Sequence, residues 1–151
     1  MGVMRRSVCA GAALAAAVTV GAAGCGGGGG ESSPGEWKSA NTALVAAFGR
    51  DLADATNNIN QGARDRTVGS CTQVKETAQE VKDEALPAPD NRVDAALTKA
   101  VAETIAAADS CLKGAREATA GARDIEEAQR KFADARKALD EAEAAIEAMA
   151  P

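Results

Sequence analysis

Reactive chemistry has few places to reside in this chain, because its 151 residues include four cysteines and 22 carboxylates but no histidine and no tyrosine. Ser-His-Asp and Cys-His catalysis therefore lack their base, and the Glu-x-x-His di-iron site of many helical bundles lacks a ligand. Cys9, Cys25, Cys71 and Cys111 are far apart in sequence. With no Cys-x-x-Cys pair to perturb a thiol and no imidazole to complete a zinc site, a redox dithiol and a metal site are both poorly supported. The adjacent carboxylates Asp83-Glu84, Glu126-Glu127 and Asp140-Glu141 are of the right type for acid–base or glycosidase work, which needs a cleft that shifts their pKa values. The helical pattern places them outside the apolar seam, so they read as solvated surface. Asp51-Leu52-Ala53-Asp54 lies in a helical stretch, not in the loop a calcium site needs. Gly26 to Gly30 lack the lysine and Ser/Thr of a phosphate loop. The expectation is no catalytic residue, no metal and no cofactor: the chain does not read as an enzyme.

The elements that would hold any site are helices. From Ser33 onward no alternating strand pattern occurs. Ser33-Pro34-Gly35-Glu36 supplies an N-cap hydroxyl, a proline at the first helical position and a carboxylate three residues on, a capping box. The first helix then recurs in apolar residues at Trp37, Leu44, Phe48, Leu52, Ala55 and Ile59 and stops at Asn60-Gln61-Gly62. Trp37, at the head of this face, reads as core rather than as an exposed anchor. Ser70 and Gln73 have capping-box spacing and place the start of a second helix near Ser70, with Cys71, Val74, Ala78, Val81 and Ala85 on one side. Leu86-Pro87-Ala88-Pro89 stops it, and residues before proline are driven to extended geometry, so this link should be stretched. Asp90 caps a third helix through Val93, Leu97, Val101, Ile105, Ala108 and Leu112, ending at Gly114 or Gly121.

The fourth helix has the clearest period. Ile125, Phe132, Leu139 and Ile146 repeat every seven residues, with Ala128, Ala135, Ala142 and Met149 at the complementary position. Glu126–Arg130 and Glu127–Lys131 have the favourable four-residue spacing outside the seam. The predicted fold is all-α, a four-helix antiparallel up-and-down bundle over residues 34–151. Its core is thin: Leu, Ile, Val and Phe account for 18 of the 116 residues from Glu36, and alanine supplies helix propensity instead. The heptad seam could serve a homo-oligomer, but within a four-helix chain its intramolecular use comes first.

Cys71 falls early in the second helix and Cys111 late in the third, at the same end of an antiparallel hairpin. A disulfide there closes a 40-residue loop and stabilises the fold by about 4 kcal/mol in the chain-entropy account. Cys71 is 14 residues from Ala85 and Cys111 is 21 from Asp90, a mismatch of roughly 10 Å at the helical rise. About four extended residues across the two prolines can span it.

The amino terminus is of another kind. Arg5 and Arg6 precede the uncharged, Ala- and Val-rich run from Val8 to Ala23, the pattern of a secretory signal peptide. The arginine pair serves as a charged n-region or, alternatively, a twin-arginine export signal. Ala22-Ala23-Gly24-Cys25 resembles the lipobox of bacterial lipoproteins, with Ala22 standing where that family prefers Leu. The resemblance implies removal of residues 1–24, a diacylglyceryl thioether on Cys25 and a further, palmitate-type acyl group on its amine. Two or more acyl chains give stable anchoring where one does not. The alternative, ordinary cleavage nearby and a freely secreted product, leaves Cys25 an odd thiol beside Cys71 and Cys111. Residues 25–33 form the lipidated cysteine and a flexible Gly/Ser tether, typically spanning roughly 15–18 Å.

Loss of Arg5 and Arg6 with the leader leaves 15 basic residues against 22 acidic ones, a formal charge of −7. That balance disfavours nucleic acid and adhesion of the domain to anionic headgroups. The reading is a lipoprotein held on the extracytoplasmic face of the cell membrane, its bundle serving a structural role or binding a protein partner that the residues do not specify. A small ligand held between helices is the alternative, disfavoured by the close packing that alanine at the seam permits.

Overall fold

The computed structural model describes residues 32–117 and 121–149. Among them the chain folds as four helices: α1 (Pro34–Gln61), α2 (Arg64–Glu84), α3 (Asn91–Arg116) and α4 (Ala122–Ala148). Each helix packs on its sequence neighbours, and α1 closes the ring against α4. Named contacts fix the directions. Trp37 at the start of α1 meets Ala85 at the end of α2, Lys75 of α2 pairs with Asp109 of α3, and Lys113 of α3 pairs with Asp124 of α4. Lys38 of α1 donates to the carbonyls of Glu147 and Met149 at the end of α4. All four neighbouring pairs are antiparallel, as an up-and-down bundle requires.

The helix ends follow local chemistry. Ser33 forms the expected capping box with Glu36, the serine hydroxyl accepting from the Glu36 amide and the Glu36 carboxylate accepting from the Ser33 amide. These bonds, the Ser33 hydroxyl first, hold the Glu36 carboxyl below its usual pKa. Asp90 caps α3 by accepting from the amides of Arg92 and Val93 at 2.8 and 3.2 Å. The Val93 amide contributes most to holding the Asp90 carboxyl low, with Arg92 adding to it. Gly62 closes α1 at φ 68°, a left-handed conformation that glycine adopts without a Cβ penalty.

One expectation changes. The second helix begins at Arg64, six residues before Ser70, and its N-cap Ala63 offers no side-chain bond. Its first turn is held instead by the Thr67 hydroxyl, which donates to the Asn58 carbonyl of α1 at 3.0 Å, so Ser70 lies inside the helix and donates to the Thr67 carbonyl. The link after α2 carries no helix and is pinned to the bundle. The Ala85 carbonyl accepts from the Trp37 indole at 2.9 Å, the Ala88 amide donates to the Asp94 carboxylate at 2.8 Å, and both alanines are buried. The Leu86–Pro87 peptide in it is cis. The third helix ends at Arg116, between the two stops its sequence offers, and the Arg64 guanidinium donates to the carbonyl there.

Phe48, Leu52, Val74, Val81, Val93, Leu97, Phe132 and Leu139 are fully buried, with alanines and the two cysteines between them. Leu44, Ile105, Leu112 and Ile125, expected on the seams, lie at the margin of the core and are only partly covered. Val45 and Asn41 take the inner positions on α1, the Asn41 amide donating to the Trp37 carbonyl.

Glycine is used in two opposite ways. At Gly114 a Cβ would lie 2.8 Å from the backbone oxygen of Gly121, so α3 and α4 approach there more closely than any side chain allows. At Gly69, in the second turn of α2 and exposed, nothing lies within 4 Å of the position a Cβ would take. Gly69→Ala is therefore expected to stabilise the fold by about 1 kcal/mol through helix propensity alone. Gly114→Ala should do the reverse by about 1–3 kcal/mol, because backbone has to move. Urea denaturation of both variants checks the opposite signs.

Candidate functional site

Cys71 and Cys111 form a disulfide, with their Cα atoms 6.4 Å apart and both side chains fully buried. The bond joins α2 to α3, and Lys75, one turn along α2 from Cys71, pairs with Asp109 of α3 at 2.6 Å. The hairpin register read from the two arm lengths is thus realised. Cys25, the expected site of lipid attachment, lies outside the described residues.

The paired carboxylates do not converge. Asp83, Glu84, Glu126, Asp140 and Glu141 are exposed, and Glu127 is half-buried beside Lys131 at 3.9 Å. Among the described residues no three Cys, Asp or Glu side chains are grouped so as to hold a metal ion. Asp51 and Asp54 both lie in α1, and the Asp51 carboxylate accepts a 2.6 Å bond from the Thr77 hydroxyl of α2. That contact joins two helices. Lys113, near the end of α3, has its pKa raised by its hydrogen bond to Asp124 and by the same carboxylate's charge.

Trp37 is 5% exposed and its indole is satisfied by the Ala85 carbonyl, so it closes the end of the core where α1 begins rather than presenting a ring to a ligand. Two concavities lie on the outer surfaces of the helices. A polar one of about 280 Å³ between α1 and α2 is lined by Asp51, Asp54, Asn58, Arg66 and Gln73. An apolar one of about 500 Å³ lies on the outer face of α3 and α4, with an alanine floor that the seam pattern of the sequence does not single out. No described helix is long and apolar enough to cross a membrane.

Compared with known protein families, curated proteins and solved structures, the chain matches none.

Proposed function

We propose that this protein is an extracytoplasmic lipoprotein, anchored in the cell membrane by acyl chains on Cys25, whose bundle acts as a structural or protein-interaction module without catalysis. The observation that carries the reading is the Ala22-Ala23-Gly24-Cys25 junction between an apolar leader and Gly26 to Gly30. The Cys71–Cys111 bond supports it by satisfying both cysteines of the bundle. With Cys9 lost in the leader, Cys25 is then the mature cysteine left without an intrachain partner, and a thioether to lipid accounts for it.

The direction of α1 supports the same reading. The tether enters at Ser33, the end of the bundle where Trp37, Ala85 and Met149 meet. A coil of nine residues has a typical span of roughly 15–18 Å, which would keep that end near the lipid surface. The half of the bundle nearest the tether has more carboxylates than cations, so it is repelled by anionic headgroups rather than laid upon them. For the absence of catalysis, the support is a chain without histidine and carboxylate pairs that point to solvent.

Metabolic labelling with a clickable palmitate analogue tests the anchor. The expected result is a labelled product whose intact mass begins at Cys25 and includes acyl groups, with all label lost in Cys25→Ala. A mature chain free of fatty acid, or label that survives Cys25→Ala, overturns the proposal and favours a freely secreted bundle.

A further inference from the structure

The apolar groove on the outer face of α3 and α4 lies at the tether end of the bundle. Ala95 and Ala96 of α3 and Ala144, Ala145 and Ala148 of α4 form its floor. Its long side chains are rim charges of opposite sign, Arg92 and Lys99 on the α3 side and Glu141 on the α4 side. Further along the same face, charges are matched across the two helices, Glu103 with Lys131 at 3.9 Å and Lys113 with Asp124 at 2.9 Å. At the groove this matching stops. Among the described residues Lys99 and Glu141, both exposed, form no ion pair.

We propose that this face is the contact surface between two copies of the chain, related by a two-fold axis that runs along the bundle. Such an axis keeps every residue at its own height and exchanges left with right, so α3 of one copy meets α4 of the other. Lys99 then stands opposite the partner's Glu141, and Glu141 opposite the partner's Lys99, the reciprocal contacts that a self-complementary interface requires. The alternative axis, across the bundle, would set α3 on α3 and separate these charges. It would also send the two tethers to opposite ends.

The proposal rests on the anchored reading for one element, the choice of axis, because two chains held by Cys25 in one membrane must have their tethers at the same end. Charge matching selects the same axis independently. Size is adequate as well. Helices of 26 and 27 residues are each about 40 Å long and about 10 Å wide. Contact along their full length would cover roughly 800 Å² per copy, the area of a standard stable interface. Alanine across the floor lets the facing helices come close, and shared attachment to one membrane raises the effective concentration of the second copy.

Co-expression of two full-length copies with different affinity tags, followed by mild detergent extraction and capture on one tag, tests the pairing. Wild-type copies are expected to co-purify. Lys99→Glu alone and Glu141→Lys alone should each reduce co-capture about tenfold, the change that about 1.4 kcal/mol produces. The chain carrying both reversals should regain it, since both pairs re-form with their signs exchanged. Both positions are exposed, and circular dichroism of each variant should match the wild type. No wild-type co-capture, indifference to either single reversal, or failure of the double reversal to restore it overturns the proposal. Fatty-acid label on Cys25 is read in the same preparations. Label without co-capture removes the pairing and keeps the anchor, whereas charge-sensitive co-capture without label removes the anchor and keeps the pairing.

Discussion

Replacing both bridging cysteines, Cys71→Ala with Cys111→Ala, is expected to lower the stability of the bundle by about 4 kcal/mol. The figure follows from the 40-residue separation of the pair, whose closure removes conformational freedom mainly from the unfolded chain. For a domain of this size that corresponds to a fall in melting temperature of roughly 15 °C. The inner face of α2 consists of Thr67, Cys71, Val74, Thr77, Ala78 and Val81, with no side chain larger than valine. On α3 the Thr104 hydroxyl is buried with no hydrogen-bond partner among the described residues. Urea denaturation of the alanine pair, beside wild type with and without reductant, measures the effect. A loss below about 1 kcal/mol would mean that α2 and α3 are held by packing alone, contrary to the chain-entropy account.

Most of this architecture was legible because the strongest local signals coincide with element ends. The Ser33 capping box, the Asp90 cap and the Gly62 stop each use a specific backbone geometry, and each stands where the residues place it. The seven-residue repeat of α4 was equally informative, since Phe132, Leu139 and Ile146 have no plausible location but the core. Where the signal was tertiary, the sequence was silent. The start of α2 depends on the Thr67 hydroxyl reaching Asn58 on another helix, a bond no local pattern records, so the capping-box spacing at Ser70 was the more visible and misleading cue. The link through the prolines is pinned by Trp37 and Asp94, again from a distance.

The groove on α3 and α4 was hidden for a different reason. Alanine carries too little apolar surface for burial to be inferred from its type. Ala128, Ala135 and Ala142 are fully buried while Ala133, Ala144 and Ala148 on the same helix are exposed. Periodicity drawn from the large residues finds the first set and passes over the second. Cys25 presents the converse case, since its proposed role is carried first by its neighbours in sequence, Ala22-Ala23-Gly24 before it and Gly26 to Gly30 after it.

The same property of alanine sets the second large effect. Phe132→Ala is expected to cost about 3–5 kcal/mol and to fall at the upper end of that range. Phe132 is fully buried in α4, one of only two phenylalanines in the chain, and the other buried positions along the helix beside it are Ala128, Ala135, Ala138 and Leu139. The penalty for removing a large core side chain grows with the cavity that remains, by about 24 cal/mol per Å³. Neighbours normally shrink that cavity by changing rotamer. Alanine has no rotamer to change, so at those positions the space closes only if helices move, and Leu139 is left to refill what it can reach. Phe132→Leu keeps most of the volume and should cost much less, on the order of 1 kcal/mol. Chemical denaturation of the two variants separates lost volume from lost aromaticity. A Phe132→Ala chain within about 2 kcal/mol of wild type would show that the helices slide together to refill the site, and the rigidity ascribed to an alanine-rich core would have to be abandoned.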